Sequence, residues 1–180
     1  TDDNRFTKAF TLLTQVSKEH PKVETLTEKI QEQFQKNAQS KVIIFAQYRE
    51  TVRIIKEKLN KLDKVKAEIF VGQAQKQNSK GQVTGLKQKE QKEMIEKFKS
   101  GDINVLVATS IAEEGLDIPE VSMVVFYEPI PSAIRKIQRA GRTARLAKGK
   151  LKILITKGTR DEIYHYASGA KEKRMHKAID

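Results

Sequence analysis

Val105-Leu-Val-Ala108 is a run of four apolar residues, and the polar, turn-forming stretch Thr109-Ser-Ile-Ala-Glu-Glu-Gly-Leu-Asp-Ile-Pro119 follows it directly. A second apolar run extends from Val121 to Tyr127. Short, continuous apolar runs indicate strands that are buried on both faces, as in parallel sheets covered by helices. Because ligands bind beyond the carboxyl ends of strands in such sheets, we expect residues 109–119 to lie at a binding site.

The rest of the chain alternates similar runs with segments of helical periodicity. Further strands are predicted from Val42 to Ala46, Lys66 to Val71 and Leu151 to Ile155, and helices at residues 21–37, 52–59, 88–100, 132–143 and 159–177. Strands about 25 residues apart with helices between them predict a parallel sheet flanked by helices. We therefore predict one α/β domain over residues 21–180, and an N-terminal helix over residues 1–20 that leads in from a preceding domain. Residues 72–86 are predicted to form a long irregular loop.

The composition points to a polyanionic partner. The formal net charge is +12, and residues 130–180 hold 14 Lys and Arg against 4 Asp and Glu. A basic surface gathered in one segment favours nucleic acid or nucleotide phosphate, and a solvated lysine face or an acidic protein partner is the alternative. The chain has no cysteine, which excludes a disulfide framework and thiolate metal sites and fits a reducing cytosol. No apolar run approaches the ~20 residues that span a bilayer, so no membrane partner is expected.

Gln138-Arg-Ala-Gly-Arg-Thr-Ala-Arg145 concentrates three arginines in eight residues. Arginine suits phosphate recognition because its planar guanidinium donates two parallel hydrogen bonds and stays charged. A helix that exposes arginines to water is the alternative. Thr109 and Ser110 offer hydroxyl and backbone N–H groups to a nucleic-acid phosphate, and they are equally suited to capping a helix.

Thr109 to Pro119 resembles motif V, and Gln138 to Arg145 resembles motif VI, of the second RecA-like lobe of superfamily 2 helicases. The resemblance covers nearly the whole chain, and it is closest to the archaeal Hef helicase/nuclease family, which is related to FANCM-type DNA-remodelling helicases. Five further stretches carry it: His20-Pro-Lys22, Val42-Ile-Ile-Phe-Ala-Gln-Tyr-Arg-Glu-Thr51, Phe70-Val-Gly-Gln73, Phe126-Tyr-Glu-Pro129 and Lys157-Gly-Thr-Arg-Asp-Glu162.

The resemblance implies a RecA-like fold of the P-loop NTPase type and assigns roles to matching residues. Arg142 and Arg145 are implied to be arginine fingers that reach the γ-phosphate of ATP on the other lobe, and Gln138 to help order that catalytic site. Ala144 stands where the family usually has glycine. The resemblance also implies that Gly115 and Asp117 bind ATP. The residues implied to bind nucleic acid are Arg49, Gly72, Gln73, Thr109 and Ser110.

The sequence also lacks parts that such an enzyme requires. It contains no Gly-x-x-x-x-Gly-Lys-Ser/Thr phosphate-binding loop, and no Asp-Glu-x-His follows an apolar strand. ATP and its Mg²⁺ are therefore expected to be held mainly by an absent first lobe, no metal site is expected here, and the isolated chain is predicted to be inactive.

The function predicted from the resemblance is that of a motor lobe of a DNA helicase or translocase that acts on forked or branched DNA in repair. Its expected partners are DNA, the first lobe of the same chain and a C-terminal nuclease domain. The expected location is cytoplasmic, in association with the nucleoid. Two alternatives stay open: a non-catalytic nucleic-acid-binding module, and the corresponding lobe of an RNA-directed helicase of the RIG-I or Dicer type.

Overall fold

A computed structural model describes residues 7–8, 20–71, 76–77, 83–84, 88–109, 119–129 and 149–166. Two kinds of strand occur in it. A short antiparallel pair links Lys76–Gln77 and Val83–Thr84, and every pairing between the other strands is parallel. The strands in chain order are β1 (Val42–Phe45), β2 (Ala67–Phe70), β3 (Lys76–Gln77), β4 (Val83–Thr84), β5 (Val105–Ala108), β6 (Met123–Phe126) and β7 (Lys150–Ile153).

The main sheet has five strands in the order β2-β5-β1-β6-β7, with β1 at its centre. All residues of β1, β5 and β6 are buried, whereas β7 at the edge is exposed or half-buried. Burial on both faces explains why the central strands are continuous apolar runs rather than alternating patterns. The predicted α/β class with a parallel sheet is confirmed.

Helices cover both faces of this sheet. They are α1 (Pro21–Lys36), α2 (Arg49–Leu59), α3 (Gln88–Ser100) and α4, which begins at residue 160 and is described through residue 166. Helices α1 and α2 pack on one face through Leu26, Ile30 and Ile55, and α3 packs on the other face through Ile95 and Phe98. Each fully buried side chain of this size contributes about 1.5–3 kcal/mol of hydrophobic stabilisation.

Signals from neighbouring residues mark where these helices begin and end. His20 is the N-cap of α1, and its Nδ1 accepts a hydrogen bond from the Lys22 N–H at 3.2 Å. Pro21 occupies the first helical turn, where its missing N–H is harmless. Gly101 follows α3 at φ +91°, a conformation that favours glycine. The Thr159 hydroxyl accepts from the Asp161 N–H at the start of α4.

The structure corrects two details and leaves others outside the described residues. Residues 72–86 were predicted to be irregular, but they contain the antiparallel β3–β4 pair, in which two short segments satisfy each other's backbone groups. The helical periodicity of residues 88–100 predicts a buried face of Met94, Ile95 and Phe98, but Met94 is only half-buried. Thr7 and Lys8 are helical, and the rest of the predicted N-terminal helix lies outside the described residues, as does the predicted helix at 132–143. Within the described ranges, no helix is long and apolar enough to cross a membrane.

Candidate functional site at the carboxyl edge of the sheet

The strand order places a crevice at the carboxyl end of β1. The chain reaches the sheet edge at β2, returns to pair β5 with β1, and then crosses to the opposite side of β1 to form β6. Such a reversal of direction is where open α/β sheets bind ligands. Because all five strands are parallel, the loops that follow β1, β5 and β6 emerge together at this edge.

The loop after β1 is held in place on both sides. The Ala46 N–H donates to the Ala108 carbonyl at 2.9 Å, so the segments after β1 and β5 begin side by side. The Gln47 N–H donates to Oε2 of Glu128 at 2.9 Å, which ties the same loop to the segment after β6. This loop leads directly into α2 at Arg49, a half-buried residue.

Two residues predicted to contact nucleic acid are therefore brought to one edge. Thr109 directly follows β5 and is half-buried, and Arg49 begins α2 after β1. Phe45, which precedes them in the chain, is 4% exposed and its ring lies 5.2 Å from the ring of Phe126. Phe45 therefore belongs to the core, and the polar residues after it form the surface.

A buried cation connects three distant parts of the chain beside this loop. Lys22 Nζ donates to the Tyr127 carbonyl at 2.9 Å and forms an ion pair with Asp161. The same ammonium lies 5.4 Å from the centroid of the Tyr127 ring. The Thr156 N–H also donates to the Asp161 carboxylate, at 3.1 Å. We call Lys22, Tyr127, Glu128 and Asp161 the Lys22 cluster.

The Lys22 cluster perturbs the titration of its acids. Burial raises the pKa of Glu128 above its ordinary value, and the Gln47 N–H and the Lys22 ammonium oppose that shift. Burial also raises the pKa of Asp161, but hydrogen bonds from Lys22 and the Thr156 N–H outweigh it, so the net shift is downward. Burial and the two neighbouring carboxylates raise the pKa of Tyr127 to about 12. At neutral pH both groups therefore keep their ordinary protonation states, with Asp161 charged and the Tyr127 hydroxyl protonated.

A cleft of about 560 Å³ opens next to the Lys22 cluster. Its wall combines the first turn of α1 and the first two turns of α2 with the segments that follow β6 and β7. The residues that line it are His20, Lys22, Val23, Thr51, Ile54, Tyr127, Glu128, Thr156, Thr159 and Asp161. No group of three or more His, Asp or Glu in the described part of the chain is arranged to hold a metal ion.

Most of the other predicted site residues fall on segments that the structure does not describe. Gly72 and Gln73 come directly after Val71, and Ser110 directly after Thr109, but all three lie outside the described residues. The same is true of Gly115, Asp117, Gln138, Arg142, Arg145 and Ala144. Their predicted roles stay predictions.

Sequence reasoning missed the residues that organise this edge. Lys22, Glu128 and Asp161 lie in stretches that carry the family resemblance, but none of the three was predicted to contact a distant part of the chain. Gln91 was missed as well: it is 3% exposed and its Nε2 donates to the Val71 carbonyl at 3.1 Å. A signal was available for Gln91, because it lies four residues before Ile95 on the buried face of α3.

The family model described as the helicase conserved C-terminal domain matches residues 21–147. A Methanocaldococcus jannaschii protein named provisionally as an ATP-dependent RNA helicase is 43% identical over 178 residues, which are 99% of this chain and 22% of that protein. The ATP-dependent DNA helicase mph1 of Neurospora crassa is 44% identical over 151 residues, which are 82% of this chain and 13% of that protein. The chain thus spans less than a quarter of the length of either relative.

Two solved structures are similar to this chain over most of its length. The Pyrococcus furiosus Hef helicase domain is 50% identical with a TM-score of 0.74, and the match covers 93% of this chain and 33% of that one. The C-terminal domain of the DEAD-box protein Dbp5 is 26% identical with a TM-score of 0.58, over 85% of this chain and 79% of that one. These matches confirm the predicted RecA-like fold.

Proposed function

Because this chain belongs to the helicase conserved C-terminal domain family, and is the C-terminal lobe of a superfamily 2 helicase, we propose that it drives an ATP-dependent DNA helicase or translocase. Its substrate is forked or branched DNA under repair. ATP is hydrolysed between this lobe and a first lobe of the same chain, which holds the nucleotide and Mg²⁺. A nuclease domain follows, and the protein works in the cytoplasm at the nucleoid.

The single observation that carries the proposal is the convergence of polar segments at the carboxyl edge. Thr109 after β5 and Arg49 after β1 both lie at that edge, and hydrogen bonds from the Ala46 and Gln47 N–H groups fix the loop that leads from β1 to Arg49. Hydroxyl, guanidinium and backbone N–H groups held at one edge suit a phosphate backbone, which such groups bind without reading sequence. If both lobes hold the phosphates of one strand, closure and opening of the cleft between the lobes moves the protein along that strand.

The proposed chemistry rests on Arg142 and Arg145. Fixed positive charge beside the γ-phosphate stabilises the negative charge that accumulates during phosphoryl transfer, and such arginine fingers accelerate hydrolysis by about 10³–10⁵. Gln138 orders the same site. Gly115 and Asp117 contact the nucleotide from this lobe, while Ser110, Gly72 and Gln73 join Arg49 and Thr109 on the DNA backbone. Because the fingers act across the cleft, hydrolysis depends on closure of the two lobes.

Replacement of Arg145 tests this role in the protein that joins this chain to its first lobe. Arg145→Ala should lower DNA-stimulated ATP turnover by about 10³-fold or more and leave DNA affinity nearly unchanged. Arg160→Ala removes an exposed arginine near the start of α4 and serves as the matched control. Equal loss of turnover and DNA binding in Arg145→Ala would contradict the finger role.

DNA and RNA substrates separate this proposal from its competitors. The names of the relatives do not agree on the nucleic acid, since one is named as an RNA helicase and another as a DNA helicase. We expect forked DNA to stimulate ATP turnover more than linear duplex DNA or duplex RNA of equal length. Stronger stimulation by RNA would instead support the lobe of an RNA-directed helicase.

The non-catalytic alternative predicts a different result. A pure binding module would bind nucleic acid but gain no ATP turnover when joined to a first lobe. We also expect the 180-residue chain alone to hydrolyse no ATP, because the nucleotide and Mg²⁺ sit mainly on the other lobe. Measurable DNA-stimulated turnover by the purified chain alone would contradict this division of the site.

A further inference from the structure

Tyr48 is an exposed aromatic residue at the centre of the carboxyl edge. It lies three residues after the end of β1, the middle strand of the sheet, and directly before Arg49. Its side chain is 61% exposed. An exposed ring at this place adds little to the hydrophobic core, so its burial does not explain why a tyrosine stands here.

Capping does not explain Tyr48 either. It is the N-cap of α2, with extended backbone at φ −112° and ψ 140°, and its side chain makes no capping hydrogen bond. Ser, Thr, Asp and Asn are preferred at this position because their short side chains accept a hydrogen bond from the first turn. The tyrosine therefore forgoes a local stabilisation that a smaller polar residue would supply.

The backbone around Tyr48 is nevertheless fixed from three directions. Ala46 donates to Ala108 at 2.9 Å, and Gln47 donates to the Glu128 carboxylate at 2.9 Å. The Tyr48 carbonyl accepts the Val52 N–H of α2 at 3.1 Å. Its ring is thus presented to the outside on a backbone that loses little freedom when something binds to the ring. A rigid, exposed aromatic is the kind of surface on which a nucleobase stacks.

We propose that Tyr48 is a stacking platform for an unpaired nucleobase of the bound strand. This inference rests on the proposed nucleic-acid-binding function and deepens it. Phosphate contacts from Arg49 and Thr109 grip the backbone, and the ring of Tyr48 beside them takes the face of one base. Stacking is tolerant of sequence, because every base has a π-face, and it requires that the base be unpaired. Tyr48 thereby favours single-stranded over duplex DNA at this lobe.

Other exposed aromatics of the described residues lie in a different setting. Tyr164 is 52% exposed and Tyr166 is 69% exposed, and both belong to α4 beyond its first turn. Neither directly follows a strand of the sheet, so neither stands at the edge where the loops after β1 and β5 begin together. Tyr166 therefore provides a matched control for the loss of an exposed tyrosine ring.

The test compares two single strands in the two-lobe protein: a natural oligonucleotide, and one of the same length in which every base is replaced by an abasic site. Base–aromatic stacking lost on alanine substitution weakens binding by about 5- to 140-fold. We expect Tyr48→Ala to lose affinity in this range for the natural strand and to bind the abasic strand like the wild type. Tyr48→Phe keeps the ring and should behave like the wild type, as should Tyr166→Ala.

A second variant distinguishes loss of base stacking from loss of the folded structure. Tyr48→Ser supplies the missing cap, so its melting temperature should equal or exceed that of the wild type while its base-dependent affinity falls. Equal affinity of Tyr48→Ala and wild type for the natural strand would overturn the stacking role and leave the proposed function standing. Equal weakening on both strands would also overturn it, because a contact that survives removal of the bases is made to the sugar–phosphate backbone and not to a base. Failure of the wild type to bind either strand would refute the proposed function itself.

Discussion

Replacement of Lys22 by methionine tests whether the Lys22 cluster holds the carboxyl edge together. Methionine keeps the length of the side chain but removes the ammonium, which leaves the Asp161 carboxylate without its cation and the Tyr127 carbonyl without its donor. The two charged side chains are only 10% and 18% exposed, so solvent compensates poorly. Removal of one partner of a buried ion pair costs about 3–5 kcal/mol.

We expect Lys22→Met to lower the free energy of unfolding by about 3 kcal/mol, the lower end of this range, because Asp161 keeps its hydrogen bond from the Thr156 N–H. For a domain of this size, that loss lowers the melting temperature by about 6–12 °C. Chemical denaturation and thermal scans of the wild type and the variant measure it. The double variant Lys22→Met/Asp161→Asn should recover part of the loss, since it no longer buries an unpaired charge.

A matched surface pair supplies the control. Lys29 and Glu32 are 2.7 Å apart, but their side chains are 36% and 48% exposed. Lys29→Met should therefore leave the unfolding free energy unchanged within error, because solvent screens such pairs. A loss of stability in Lys22→Met no larger than that in Lys29→Met would show that burial does not strengthen the Lys22–Asp161 pair.

The pH dependence gives an independent check of the same ion pair. The folded-state pKa of Asp161 is lowered from its ordinary 3.8, so its contribution to stability is fully present above that value. It is lost as the pH falls through the lower, folded-state pKa. The difference in unfolding free energy between wild type and Lys22→Met should thus be full at neutral pH and shrink below pH 3.8. A difference that does not change with pH would point to packing rather than charge.

Three further outcomes follow from the described contacts. Glu128→Gln keeps an acceptor for the Gln47 N–H. Because burial raises the pKa of Glu128 and so penalises its charged form, the variant should be as stable as the wild type or more stable in thermal scans at neutral pH. A lower melting temperature would contradict this. Gly149→Ala should destabilise by about 1–3 kcal/mol, because a Cβ there would collide with the Val121 carbonyl oxygen, and denaturant titration should detect the loss. Phe98→Ala, at 0% exposure, should cost about 3–5 kcal/mol in the same titration, and a loss below 1 kcal/mol would contradict its place in the core.

The strands and helices were largely predictable because their signals are local. The apolar runs of β1, β5 and β6 are buried on both faces, as their lack of alternation indicates. His20 and Pro21 mark the start of α1 through rules that involve neighbouring residues only. The β3–β4 pair escaped prediction because two residues in each strand are too few to show a period.

The candidate site was predictable only in part. The position of a polar residue directly after a buried strand placed Thr109 at the carboxyl edge, since all parallel strands end there. Arg49 begins a helix four residues after β1, and only the family resemblance assigned it to the nucleic acid. The partners of Lys22 were not predictable: the Tyr127 carbonyl is 105 residues away and Asp161 is 139 residues away. No local pattern in the chain ties a lysine to so distant a carboxylate.

The five strands of the main sheet, the buried faces of the helices and the polar residues at the strand ends could all be located from the order of the amino acids. Those properties depend on periodicity and on the conformational preferences of single residues. Tertiary structure alone decided that β1 stands between β5 and β6, that Lys22 becomes buried against Asp161, and that the ring of Tyr48 stays exposed. The physical reason is that burial and electrostatic partnership are properties of the packed neighbourhood, and strand order brings that neighbourhood together from distant parts of the chain.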